Sequence, residues 1–481
     1  MTQFEFFALA FGSMIGVGWV TAIGGWLTQA GPLGAIIAFV IGGGIMLCIG
    51  LCYAEATPML PVAGGEVAYS YLAFGTFKSF VVGWFLAFGY VAISGFEAIS
   101  IGKVLSYMFP DSNWWLLYHV GDDPVYGSHL LLGVVFTGFI TWLHYRGVES
   151  AAAFQRWLTI GFVLVTFVFI GTGLFSGSWE NLSPMFPETG GGDFKTIAAG
   201  ILMVVVTVPF WFVGFDTIPQ AAEEADVSMP PSKFALLIVG SIVAATLFYI
   251  VLIISVGMIA PWRSIVDSDL PAARAFEAAF SNKFMVDLVL TAALLGLFTS
   301  WNGFFLAGSR VLFSLGRGRM IPAPFGKTHS KYGTPHRAVL LTGLLTLLAP
   351  LMGRQALLSF VNAGSFCIAI AFLGVALSIM KLRQSHPNLP RPFRLSGGML
   401  IPGLAAFGAL FLIAVMLWPG SPAALSWPRE VIILGVLAVL GAGFWLGARR
   451  SRTLVSESER AFLILENHAD SPTTSKSTGN R

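Results

Sequence analysis

Apolar runs of about 20 residues or more, separated by short polar stretches, recur along almost the whole chain, and each is long enough to cross a bilayer as a helix. Twelve are read, at 4–29, 32–57, 79–108, 128–146, 149–174, 195–222, 233–259, 284–314, 336–352, 355–381, 399–418 and 429–448. The stretch 58–78 is less apolar and reads as a re-entrant or interfacial piece. Pro271 to Phe280 lies in a loop and reads as a short helix over a pocket mouth. The apolar run from Phe4 has no basic lead and continues into further spans, so it reads as a membrane span rather than a cleaved leader.

Charge placement tests this count. Twelve spans put both termini on one side. With that side cytoplasmic, the inner loops and tail hold 20 of the 27 Lys and Arg and the outer loops 6, with Lys103 inside a span. This is the positive-inside bias, and it makes the chain a multi-pass protein of a cell (inner) membrane with both termini cytoplasmic. The basic clusters need no nucleic acid to explain them. Residues 449–481, rich in Ser, Thr and Glu, read as a disordered cytoplasmic tail.

Composition agrees. Charged residues are 11% of the chain, against about 25% in soluble proteins, while 55 Gly suit close helix contact in lipid. The three cysteines, Cys48, Cys52 and Cys367, lie in apolar stretches and do not form a disulfide framework. The seven histidines lie in loops, in the tail or near span ends, with no metal spacing, so neither a metal cofactor nor an intramembrane enzyme is expected.

Two spans are interrupted. The first carries Gly12-Ser13-Met14-Ile15-Gly16-Val17-Gly18, the sixth Pro209-Phe210-Trp211-Phe212-Val213-Gly214-Phe215-Asp216 followed by Pro219. Glycine, proline and a carboxylate at membrane depth disfavour a continuous helix. Unwound backbone there is tolerated only where protein or a watery cavity satisfies it. Freed N–H groups attract a carboxylate and freed carbonyls an ammonium or a metal cation. Breaks five spans apart, at matching places in two halves, point to a transporter site at the interface of two repeats.

Those motifs resemble the amino acid–polyamine–organocation (APC) superfamily of transporters. GSMIGVG is similar to its broken first helix, and Phe210 to Glu224 (FWFVGFDTIPQAAEE) to its sixth-span signature. Glu97 to Lys103 resembles a third-span stretch of bacterial amino acid permeases. Arg310 to Pro322 with Gly333-Thr334-Pro335 resembles a family loop, although Gly318 stands where that loop has Asp and Arg319 where it has Gly.

The resemblance implies an all-α polytopic protein with the LeuT-type fold. Its ten-helix core would be residues 1–381, with inverted repeats at about 4–174 and 195–381. Two peripheral helices would follow at 399–448. It implies secondary transport by alternating access, with an α-amino acid or amine between the breaks. The carboxylate would meet backbone N–H groups of Ser13 to Gly18. The ammonium would meet carbonyls near Met14 and at Phe210, Trp211, Phe212, Val213 and Gly214. Phe210 falls where the family has a gating aromatic, and Glu223 and Glu224 read as an inner gate against residues such as Arg310. With no charge dedicated to a side chain, a neutral amino acid is expected.

Two coupling schemes stay open. Thr299-Ser300 with Gly296 before them resemble the sodium site of LeuT-fold symporters, which would be completed by carbonyls of Gly12 and Ile15; hard cations prefer oxygen. The span-five lysine of many proton-coupled relatives is absent, which favours sodium. The alternative is a proton on Asp216 or Glu97, or exchange. A non-transporting amino acid sensor on the same fold is the remote alternative.

Overall fold

Glycine, proline and polar residues cut the apolar chain into helices. The computed structural model describes residues 1–465 apart from 121–122, 188–192 and 281–282. The N-terminal helix α1, Gln3–Met14, starts at a capping box in which Thr2 and Glu5 satisfy each other's backbone N–H. Next come α2 (Gly18–Met59), α3 (Gly65–Phe74) and α4 (Thr76–Met108). Two short antiparallel strands, β1 (Leu116–Val120) and β2 (Asp123–Tyr126), precede α5 (Gly127–Arg146) and α6 (Val148–Ser176). The middle of the chain gives α7 (Phe194–Val205), α8 (Val208–Phe212), α9 (Thr217–Gln220), α10 (Lys233–Ile259), α11 (Pro271–Ala279) and α12 (Lys283–Arg317). The rest gives α13 (His336–Leu348), α14 (Ala356–Ser385), α15 (Leu400–Leu417), α16 (Arg429–Gly447), α17 (Arg449–Thr453) and α18 (Glu457–Leu465).

Among the described residues, ten helical segments are long and apolar enough to cross a membrane, and His336–Met352 is a shorter apolar one. The protein is therefore a polytopic helical membrane protein. At 42 residues, α2 is far longer than one crossing at 1.5 Å per residue. Its break is at Gly31, with φ 68° and ψ 172°, just before Pro32. Only glycine fits there: the conformation is left-handed, and a Cβ would stand 2.6 Å from the Met185 carbonyl.

The core is built where α12 packs on α4, α6 and α1, α10 packs on α2, and α14 packs on α4. Here α15 and α16 are added from outside: α15 lies on α14 and α2, α16 on α14. Phe407, Leu410, Val436 and Val439 on them are exposed, as a lipid-facing surface requires. On one face a buried cluster ties distant segments together. Glu55, fully buried near the end of α2, accepts from Arg383 (Nε 3.0 Å, Nη2 2.5 Å) and from Leu395 N–H (2.9 Å), and Arg391 stands 3.3 Å away.

Several expectations change. The chain is not purely helical, because the loop after α4 forms the hairpin β1–β2, whose alternation is too short to signal itself. The stretch 58–78 contains α3. The loop helix expected at 271–280 is α11. The expected tail, 449–481, forms the two short helices α17 and α18 up to Leu465; residues 466–481 lie outside the described residues. Arg460, Ile464 and Leu465 are buried, so packing orders a segment whose polar composition suggested disorder.

Arg319 adopts φ 59°, a region that costs a residue with a Cβ about 1–2 kcal/mol. Glycine would relieve this while adding about 0.4–1 kcal/mol of chain entropy. Arg319→Gly is therefore expected to raise the thermal unfolding midpoint in detergent slightly; a lowered midpoint would show that the arginine side chain outweighs its backbone strain.

Candidate functional site

In the first break, α1 ends at Met14 and α2 begins at Gly18, with Ile15 at φ −111°, ψ 78°. The unwound part is thus Ile15–Val17, and Gly12 and Ser13 stay in the last turn of α1. In the second, α7, α8 and α9 are separated by turns at Val206–Thr207 and Val213–Asp216. The two breaks touch. Gly214 has φ 136°, and a Cβ on it would lie 2.6 Å from Met14 N and 3.0 Å from the Ser13 carbonyl carbon. Tyr249 of α10 lies between them, its hydroxyl directed at the Met14 carbonyl (2.9 Å) and the Trp211 carbonyl (3.2 Å).

A small cavity lies beside this contact. From the expected substrate residues it takes Ser13, Met14, Gly16, Gly18, Phe210 and Trp211, together with Glu97 and Ser300. Ile15, Val17, Phe212, Val213 and Gly214 do not line it. Phe212 packs instead on Phe39 and Tyr249, and the Ser13 hydroxyl turns back to the Leu9 carbonyl at 2.5 Å. The remaining wall, Ile93, Phe96, Tyr249 and Phe304, escaped the sequence reading because apolar and aromatic residues in a membrane helix look alike whether they face lipid or ligand.

Glu97 is the ionisable member of the wall. Its carboxylate lies against Gly16, where any Cβ would overlap it, with the Ser300 hydroxyl and the Val17 N–H beside it. The N-terminus of α2, expected to receive a substrate carboxylate, thus already faces a protein carboxylate through Val17. Oε2 of Glu97 has no hydrogen-bond partner in the protein. Lys103 pairs elsewhere, with Asp269 at 3.3 Å. Asp216 lies off the cavity: it accepts from Tyr90 Oη (2.7 Å) and from Gly214 N–H (2.7 Å), and so fixes the turn of the second break.

The five residues of the expected cation site come together. Thr299 lies against Gly12, and Gly296 lies against the Ile15 carbonyl. Ser300 faces Gly16, and Thr299 Oγ1 donates to the Gly296 carbonyl at 2.8 Å. Unforeseen neighbours are Gln155 and Thr159 of α6, both donating to the Ala8 carbonyl (3.2 and 3.3 Å), and Asn302, which donates to Gln155 Oε1 (2.8 Å). The available signal was a polar pair four residues apart on an apolar helix.

Ion pairs stand on either side of the cavity. On the face carrying the N-terminus, Arg310 pairs with Glu224, and Arg317 with Glu223 at 3.2 Å. Glu223 also accepts from Ala63 N–H at 2.6 Å. On the other face Asp269 joins Lys103 and Arg354 (3.2 Å), close to α11. Gly16→Ala is expected to displace Glu97 and reduce ligand affinity by at least about fivefold, since overpacking costs about 1–3 kcal/mol; undiminished ligand binding by calorimetry would show that the cavity is not the binding site.

An amino acid permease family profile matches residues 1–441. A branched-chain amino acid permease, BcaP, of Bacillus subtilis (strain 168) is 28% identical over 86% of this chain and 87% of its own. A methylthioribose transporter of the same organism is 25% identical over 84% and 86%. An aspartate-proton symporter, also from there, is 25% identical over 87% and 79%. With helix breaks meeting at a small cavity and a match over nearly its whole length, the chain belongs to the amino acid permease family of the APC superfamily, a family of transporters rather than enzymes.

Proposed function

We propose that the protein is a secondary active transporter that imports a neutral amino acid by alternating access, coupled to sodium. The carrying observation is the cavity between the two breaks, where backbone polarity, one carboxylate and an aromatic wall meet. Met14, Ile93, Phe96, Phe210, Trp211 and Phe304 suit an apolar side chain, and the branched-chain permease among the relatives agrees. Phe210 would close over the substrate, and Trp211 and Phe210 give an ammonium aromatic faces. The oxygens around Gly12, Ile15, Gly296, Thr299 and Ser300 would hold the sodium ion.

In this reading the chain makes twelve crossings. Here α1 and the start of α2 form the first crossing, the part of α2 after Gly31 the second, α7 to α9 the sixth, and α13 with the turn after it the ninth. The first ten form the LeuT-type inverted repeats, and α15 and α16 are peripheral. The face with the Glu223 and Glu224 pairs is cytoplasmic, and those pairs form the inner gate. The protein resides in the cell membrane.

A specific observation favours a second reading: Glu97 lines the cavity with Oε2 lacking a protein partner, as a proton-carrying carboxylate would. Asp216 is less suited, because both its oxygens are engaged. The aspartate-proton symporter among the relatives fits this alternative.

Purified protein in liposomes, given labelled neutral amino acids, tests both. An inward sodium gradient at fixed pH should drive accumulation. Thr299→Ala should raise the sodium concentration for half-maximal uptake about tenfold, as expected for one lost ligand to a charged group. Uptake indifferent to sodium but driven by a proton gradient and abolished in Glu97→Gln would replace the first reading with the second.

A further inference from the structure

The transport reading leaves the last helices, α17 and α18, without a role. α18 packs on α3 and on α12, at the face that carries the Glu223 and Glu224 pairs. Three contacts hold it. Ile464 is buried over Gly318: a Cβ on residue 318 would stand 2.9 Å from Ile464 Cδ1 and 3.0 Å from Cγ1. Arg460 is buried and donates to Thr76 Oγ1 at the start of α4 (3.3 Å). It also donates to the carbonyls of Arg452 and Val455 (2.6 and 3.3 Å), which closes the turn between α17 and α18. Tyr71 of α3 donates its hydroxyl to the Glu457 carbonyl at 3.3 Å.

The seat over Gly318 adjoins the gate. Gly318 follows Arg317, whose guanidinium holds Glu223, and Glu223 also accepts from Ala63 N–H just before α3. Thus α18 bears on both sides of one closure, the end of α12 and α3. Gly318 is also one of the two positions at which this loop departs from the family pattern. Any larger residue there would press its Cβ on Ile464, so the departure and the docked helix fit each other.

We propose that residues 449–465 form a latch on the cytoplasmic mouth. With Ile464 seated over Gly318, Arg317 and α3 stay where they cover and pair Glu223, and loosening the seat eases opening. The inference rests on the alternating-access reading and its orientation, but not on the substrate or the coupling ion.

The test uses the full chain in liposomes, with Cys48, Cys52 and Cys367 changed to alanine and Ala222→Cys as reporter, since Ala222 is buried directly before Glu223. Its labelling rate by a membrane-impermeant maleimide is compared in the parent, Ile464→Ala, Gly318→Ala and the double variant. Gly318 is not in the left-handed region, so alanine changes space rather than backbone. Each single change should raise the rate about fivefold, and the double should not exceed the larger single, because contacting residues are non-additive. Unchanged rates in both singles would overturn the latch, as would effects that multiply, which would place the Gly318 effect in its own turn. Labelling confined to the opposite face would instead refute the orientation, and a parent without uptake the transport reading; the ratios among variants remain readable in either case.

Discussion

Backbone groups that leave a helix inside hydrocarbon must find partners within the protein, and that requirement governs the centre of this molecule. Two helices are interrupted where they touch, and side chains around the contact supply part of what each break lacks. Gly214 brings the second break against Met14, Asp216 and Tyr90 fix its turn, and Tyr249 directs one hydroxyl to a carbonyl from each break. The cavity is what remains beside this contact. Its polarity therefore comes largely from main chain, while its shape comes from aromatic side chains.

The polytopic helical character was readable because membrane crossings have a length and a composition that follow from the bilayer itself. Both breaks were readable because Gly16, Gly18, Pro209 and Gly214 are costly inside a helix. What stayed hidden depends on facing direction. Tyr249, Phe96 and Phe304 lie in apolar runs whose inner and outer sides carry no distinguishing period, since lipid and core are equally apolar. Asp216 attracted attention as a buried carboxylate, but its partner Tyr90 lies 126 positions away, beyond any local pattern. The order in 449–465 was hidden for the same reason: Arg460 and Ile464 find their seats on α4 and beside α12, far off in sequence.

Between the first break and α12 runs a polar seam of Gln155, Thr159, Thr299 and Asn302. Uncharged hydroxyls and amides avoid the desolvation that buried charge brings, yet leave their oxygens available to a cation. Ion pairs instead gather at the two faces, while Asp216 in the second break is held by hydrogen bonds from Tyr90 and Gly214.

The Glu55 cluster has a consequence in time. Its carboxylate lies 328 positions ahead of Arg383, and synthesis proceeds at roughly 5–20 residues per second. For roughly 15–65 seconds the end of α2 therefore carries an acid whose counter-charges do not yet exist. Until they emerge, Glu55 must remain within reach of water or lipid headgroups, so the end of α2 can be inserted early but completed only when the end of α14 arrives. The last core helix to be made thus sets the moment at which one of the first is locked.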